Sequence, residues 1–230
     1  MSAPDFTLSV EGASSLQRVV SGTELEPRSC SERAPVRSGV GGASVLDACC
    51  GTRMFWFNQS DERAVYVDRR EGTRIIDVGT PGTIGRTPKT VAPDMLADFR
   101  CLPFADESFW HVVFDPPHFH KGAGATGRIA FDFGLLDATW RDDLRAGFAE
   151  CFRVLKPFGT LVFKWCEAEI PLREVLALTS ERPLYGHRSG KKAQTHWIAF
   201  LKGGGGAEQA GDAAATKQSG DCSANEKLTD

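Results

Sequence analysis

The residues best suited to chemistry stand together at Asp115-Pro116-Pro117-His118, closing the apolar run Val112-Val113-Phe114. Two successive prolines fix φ and remove two backbone donors, which leaves nearby carbonyls to accept. Asp115 and the Pro116 carbonyl then form two neighbouring acceptors. An amine with two N–H groups fits between them, held with tetrahedral character and its lone pair directed at an electrophile. Positioning and charge placement would do the catalysis, with no covalent step on the protein. His118 or the adjacent Phe119 offers a ring to stack on a planar acceptor. His111, His118 and His120 cluster here, but His111 falls inside a strand pattern and no acid–histidine set of useful spacing accompanies them. No metal site is expected.

Further candidates follow the motif. Lys121 to Arg128 is a Gly-rich basic loop, which either closes over an acceptor and touches phosphate or is a plain insertion. Trp165 ends a later apolar run and reads equally as pocket border or core. His187-Arg188-Ser-Gly-Lys191-Lys192, followed by His196-Trp197, groups cations with an aromatic. That suits phosphate contact, or a charged hairpin that protects a sheet edge.

The elements that must carry these residues alternate in type. Ser44 to Asp47, Ala64 to Asp68, Trp110 to Asp115 and Gly159 to Trp165 read as buried strands. Leu144, Phe148, Cys151, Phe152 and Leu155 share one helical face, and Lys156-Pro157-Phe158-Gly159 turns that helix into the next strand. Pro183 to Ser189 and Thr195 to Leu201 have hairpin spacing and should be antiparallel. The expected fold is α/β: a Rossmann-like, mostly parallel seven-stranded sheet with a C-terminal antiparallel hairpin and helices on both faces.

In such sheets ligands bind at the carboxyl ends of the strands. Asp47 ends the first strand and Cys49-Cys50-Gly51-Thr52 makes the following turn. Asp68 ends the second, where a carboxylate can accept both hydroxyls of a ribose. Asp98-Phe99 pairs an acid with an apolar ring, a combination that could hold adenine. The dinucleotide fingerprint Gly-x-Gly-x-x-Gly is absent, which counts against an oxidoreductase.

The succession Val45-Leu-Asp-Ala-Cys-Cys-Gly51, Val67-Asp68, Ala97-Asp98-Phe99 and Asp115-Pro-Pro resembles class I S-adenosylmethionine-dependent methyltransferases across essentially the whole core. The run Cys49-Cys-Gly-x-Arg53-Met-Phe-Trp-Phe57 is similar to a bacterial and phage group of small methyltransferases. The resemblance implies S-adenosylmethionine as cofactor, with Asp47, Cys49 and Gly51 at its methionine part, Asp68 on its ribose and Asp98 with Phe99 at its adenine. Where the family's loop carries a second glycine, Arg53 stands; it either narrows the loop or meets the cofactor carboxylate. An Asp-Pro-Pro-aromatic motif resembles enzymes methylating adenine, guanine or cytosine amines, or glutamine side chains, and here the fourth residue is His118. The implied function is an amino-methyltransferase acting on a nucleic-acid base, foremost the exocyclic amine of adenine in DNA or RNA. Asp115, Pro116, Pro117 and His118 would be its catalytic residues, and Phe119, Lys121, Trp165, Arg188, Lys191 and Lys192 its substrate contacts. A base in a duplex would have to be flipped out. The alternatives are a protein glutamine or small-molecule amine methyltransferase, and a non-catalytic cofactor-binding subunit.

Bulk properties bound these readings. The chain has 230 residues and a net charge of −3, so any polyanion contact must come from a local patch. Residues 1–42 and 203–230 read as disordered tails around a methyltransferase domain at 43–202. With no separate recognition domain in view, either specificity is low, the substrate is structured RNA, or a protein partner supplies recognition. No apolar run reaches membrane-spanning length. Seven cysteines, an odd count with Cys49 and Cys50 adjacent, suit reduced thiols and an intracellular, cytoplasmic location, nuclear and organellar ones remaining open.

Overall fold

A computed structural model of the chain describes residues 19–24, 42–78, 85–120, 128–190, 192 and 194–204. Strands β1 (Val19–Glu24), β2 (Val45–Asp47), β3 (Ala64–Asp68), β4 (Arg70–Val78), β5 (Gly85–Val91), β6 (Met95–Leu96) and β7 (Phe109–Phe114) come first. Helices α1 (Arg128–Phe133) and α2 (Trp140–Val154), strand β8 (Leu155–Cys166), helix α3 (Leu172–Leu176) and strands β9 (Pro183–Ser189) and β10 (Thr195–Leu201) follow.

Seven strands form one sheet in the order β6-β3-β2-β7-β8-β10-β9. β2 is parallel to β3 and β7, and β7 is parallel to β8. β10 runs antiparallel to both β8 and β9. This is the expected Rossmann-like sheet with its terminal hairpin. Strand order reverses at β2, so the carboxyl ends of β2 and β7 flank the crevice where such folds bind ligands.

Apolar periodicity explains the core. In α2 the buried positions include Trp140, Leu144, Phe148, Cys151 and Phe152, and Phe148 packs 4.9 Å from Phe163 of β8. Gly147 allows that approach, since a Cβ there would lie 2.7 Å from the rings of Phe99 and Phe114. The connection Ala48–Arg63, between β2 and β3, consists of turns.

Two features depart from expectation. β4 and β5 form an antiparallel hairpin between β3 and β6, and β1 adds to it as a three-stranded second sheet. The N-terminal segment is therefore not without structure throughout: Val19–Glu24 finds backbone partners on β4, which supply what its sequence lacks in apolar surface. The rest of the 1–42 and 203–230 tails lies outside the described residues, apart from Gly42, Gly203 and Gly204.

Candidate active site

The carboxyl ends of β2, β3 and β7 open on a cavity of roughly 210 Å³ where Cys49, Gly51, Asp68, Asp115 and Pro117 meet Asp132. Its floor is the loop after β2. Gly51 has φ +50, and a Cβ there would lie 3.1 Å from the Asp132 carbonyl oxygen. Glycine meets both demands without strain. Gly51 N donates to Asp68 Oδ2 at 2.9 Å, which ties the loop to the end of β3.

Arg53 has φ +52, so the backbone keeps a glycine-like conformation despite its side chain. The guanidinium points away from the cavity, donating to Gln59 O at 2.6 Å, Ala92 O at 2.6 Å and Asp94 Oδ1 at 2.9 Å, and lying 3.7 Å over the Tyr66 ring. Arg53 braces the loop from outside and is not among the residues that line the cavity.

Asp47 is fully buried and does not line the cavity. It accepts from Trp56 Nε1 at 2.7 Å and Cys49 N at 3.3 Å. Burial pushes its carboxyl up to about 7 against those two hydrogen bonds, with the negative charges of Asp115 and Asp68 adding to the rise. Burial also raises the Cys49 and Cys50 thiols, which keeps both neutral and unreactive.

Asp68 and Asp98 share a device that is visible in the sequence, an arginine two residues on. Asp68 accepts from Arg70 N, Nε and Nη2 at 2.9, 3.0 and 3.2 Å. Arg70 Nη1 continues to Ala130 O at 3.2 Å and Phe131 O at 2.8 Å, fastening α1 over the cavity. Asp98 accepts from Arg100 N, Nε and Nη2 at 2.9, 2.9 and 2.6 Å, and Arg100 Nη1 reaches Asp143 Oδ1 at 2.8 Å. Asp98 thus bonds to Arg100 and does not line the cavity, whereas Phe99 and Arg100 do.

Asp115 is the centre of the arrangement. Its Oδ2 lies 2.5 Å from Lys164 Nζ, in a pair whose side chains are 10% and 14% exposed. Its Oδ1 is buried and has no hydrogen-bond partner among the described residues. Such an orphaned acceptor is costly unless a ligand satisfies it. The Pro116 carbonyl lies 3.3 Å from His118 Nδ1; a carbonyl only accepts, so Nδ1 carries the proton and a second lone pair remains.

His118 is buried among Phe119 at 4.6 Å, Phe133 at 5.5 Å and Trp165 at 6.0 Å. Burial lowers its pKa, so the ring is neutral, and of the two candidates for stacking Phe119 is the less buried. Trp165 is core: it is fully buried, with Nε1 donating to Ile170 O at 3.0 Å. Its neighbour Lys164 faces the site, 5.6 Å from the Phe55 ring and 5.7 Å from Trp197. Strand alternation at Lys164-Trp165 was the signal that could have separated the two. Half-buried Phe119 packs on His118 and Phe133. Arg188 is exposed, 3.9 Å from Glu167, and Lys192 is exposed in the hairpin turn; neither lines the cavity. Lys121 and Lys191 lie outside the described residues. Among the described residues no cluster of metal-ligating side chains occurs, and no helix is long and apolar enough to cross a membrane.

No family model matches the chain, and no curated protein matches it. Solved structures similar to it include a Pyrococcus horikoshii protein, 16% identical over 69% of this chain and 81% of that one, with a TM-score of 0.42. The 1,6-didemethyltoxoflavin-N1-methyltransferase of Burkholderia thailandensis, solved with 1,6-didemethyltoxoflavin and S-adenosylhomocysteine, is 15% identical over 69% and 70%, with a TM-score of 0.40. A SAM-dependent methyltransferase of Methanosarcina mazei is 13% identical over 69% and 92%, with a TM-score of 0.39.

Proposed function

We propose that this chain transfers a methyl group from S-adenosylmethionine to an amine nitrogen, with the exocyclic amine of adenine in a nucleic acid as acceptor. The observation that carries this is the buried Asp115 carboxylate, with Oδ2 held by Lys164 and Oδ1 left as an unfilled acceptor beside the Pro116 carbonyl. An unpartnered carboxylate oxygen and a neighbouring carbonyl, on two residues that line the cavity, match the two N–H groups of a primary amine.

The donor set beside them fits the cofactor. Gly51, Asp68 and Phe99 line the cavity, where the methionine part, the ribose and the adenine ring would lie against them in that order. All four lone-pair sites of Asp68 are filled by Gly51 N and Arg70, so the ribose hydroxyls would replace Arg70 donors. The cofactor supplies an electrophilic methyl carried on sulfonium. On the protein side, Asp115 Oδ1 and Pro116 O hold the two N–H groups and so aim the nitrogen lone pair. Once the nitrogen had taken the methyl, leaving the cofactor a neutral thioether, one of the two held N–H protons would leave to water.

The test offers S-adenosylmethionine labelled in its methyl group to total RNA, unmethylated DNA and protein extract, with Asp115→Ala as control. Label in nucleic acid that digests to a methylated adenine, and is lost in the control, is the expected result. Label in protein alone would move the acceptor to a side-chain amide. Cofactor binding without any transfer would leave a non-catalytic subunit.

A further inference from the structure

The two faces of β8 are covered unequally. Leu161, Phe163 and Trp165 are fully buried, Phe163 against α2, whereas Thr160, Val162, Lys164 and Cys166 on the other face are only half-buried. Pairing of Phe114 with Phe163 sets Asp115 beside Lys164, Lys164 pairs with Trp197, and Trp197 pairs with His187. Paired residues share a face of the sheet. Asp115, Lys164, Trp197 and His187 therefore form one row across four strands, from the cavity to the exposed edge at β9. Phe55 meets Trp197 edge-on at 5.5 Å. On the same loop Phe57 is 111% exposed and Met54, at the cavity rim, 50%. That loop is not slack: Trp56 is bonded to Asp47, and Arg53 closes the loop on Gln59 O. A braced loop holding large apolar side chains in water presents them to something.

We propose that this row is the track for a single-stranded nucleic acid, with the acceptor base at Asp115 and flanking bases stacked on Trp197 and Phe57. It rests on the amine-methylating site above. Rings without base-specific partners suit stacking on any base, and His187 at the outer end with Lys192 in the adjoining turn can meet phosphate.

The test is fluorescence anisotropy of a short, end-labelled, adenine-containing single strand titrated with the full chain, its Phe57→Ala variant and its His187→Glu variant. Both side chains are exposed, so the variants keep the fold, which thermal unfolding checks. Each variant should weaken binding about five- to tenfold, with affinity falling as salt rises and S-adenosylmethionine affinity unchanged. Undiminished binding by both variants, while the wild type methylates nucleic acid, would overturn the track alone. A wild type that ignores the oligonucleotide but methylates a peptide or a small amine would overturn it too. Binding that responds to both variants, without transfer to any acceptor, would keep the track and refute the methylation.

Discussion

Asp47 offers a prediction whose size and sign both come from the structure. Its carboxyl is fully buried and raised from 3.8 to about 7 by that burial, with Trp56 and Cys49 N as its hydrogen-bond partners. A folded-state value above the unfolded one means that the folded protein binds the extra proton. Stability is then greatest below the unfolded value, declines as pH rises between the two, and stays reduced above about 7. Between pH 5 and pH 8 the loss approaches about 3 kcal/mol at 1.36 kcal/mol per pKa unit. Asp47→Asn keeps an acceptor for Trp56 and removes the titration. The variant should gain on the wild type as pH rises, by roughly 5 to 10 °C in melting temperature between pH 5 and pH 8. Thermal unfolding of both proteins across that range reads the difference directly. A difference independent of pH, or one that shrinks towards alkaline pH, would refute the buried, proton-binding state of Asp47.

Three further outcomes follow from the same geometry. Lys164→Met should cost about 3 kcal/mol in urea unfolding, because it strands a buried carboxylate, and adding Asp115→Asn should recover most of that loss. Gly51→Ala should cost about 1–2 kcal/mol, through its positive φ and the contact with Asp132 O, and calorimetry should show weaker S-adenosylmethionine binding. Arg53→Gly relieves backbone strain but loses three hydrogen bonds and the cation over Tyr66, so the fold should lose about 1 kcal/mol while cofactor affinity holds. A tenfold loss of affinity there would place Arg53 on the cofactor after all.

The main sheet was readable because its strands are short apolar runs ending in acids, and helix α2 because one face repeats at helical spacing; but Leu155, expected on that face, and residues 156–159, expected as the turn after it, belong to β8. The β4–β5 hairpin was missed: its residues, such as Arg70, Arg74 and Lys89, are polar on the face that closes over the cavity, where Lys89 meets Asp132 at 2.7 Å. Charge pairing across a cavity leaves no hydrophobic period to read. At the site, the motif located Asp115, Gly51, Asp68 and Phe99 on one cavity wall. It could not assign directions to side chains. Asp47 turns inward to an indole, Arg53 outward to carbonyls, and Asp98 sideways to Arg100, each decided by partners distant in sequence or by a local turn. Alternation puts Lys164 and Trp165 on opposite faces of β8, and its register against β7 and β10 then sets Lys164 beside Asp115 and leaves Trp165 in the core.

The role of Asp115 is tested most directly by the turnover of Asp115→Ala on a methylated-product assay, measured beside S-adenosylmethionine affinity by calorimetry. The orphaned Oδ1 predicts a fall in kcat of about a hundredfold or more with cofactor affinity unchanged, because the lost acceptor serves the amine alone. A variant that turns over like the wild type, or that loses cofactor binding instead, would contradict an amine held at Asp115.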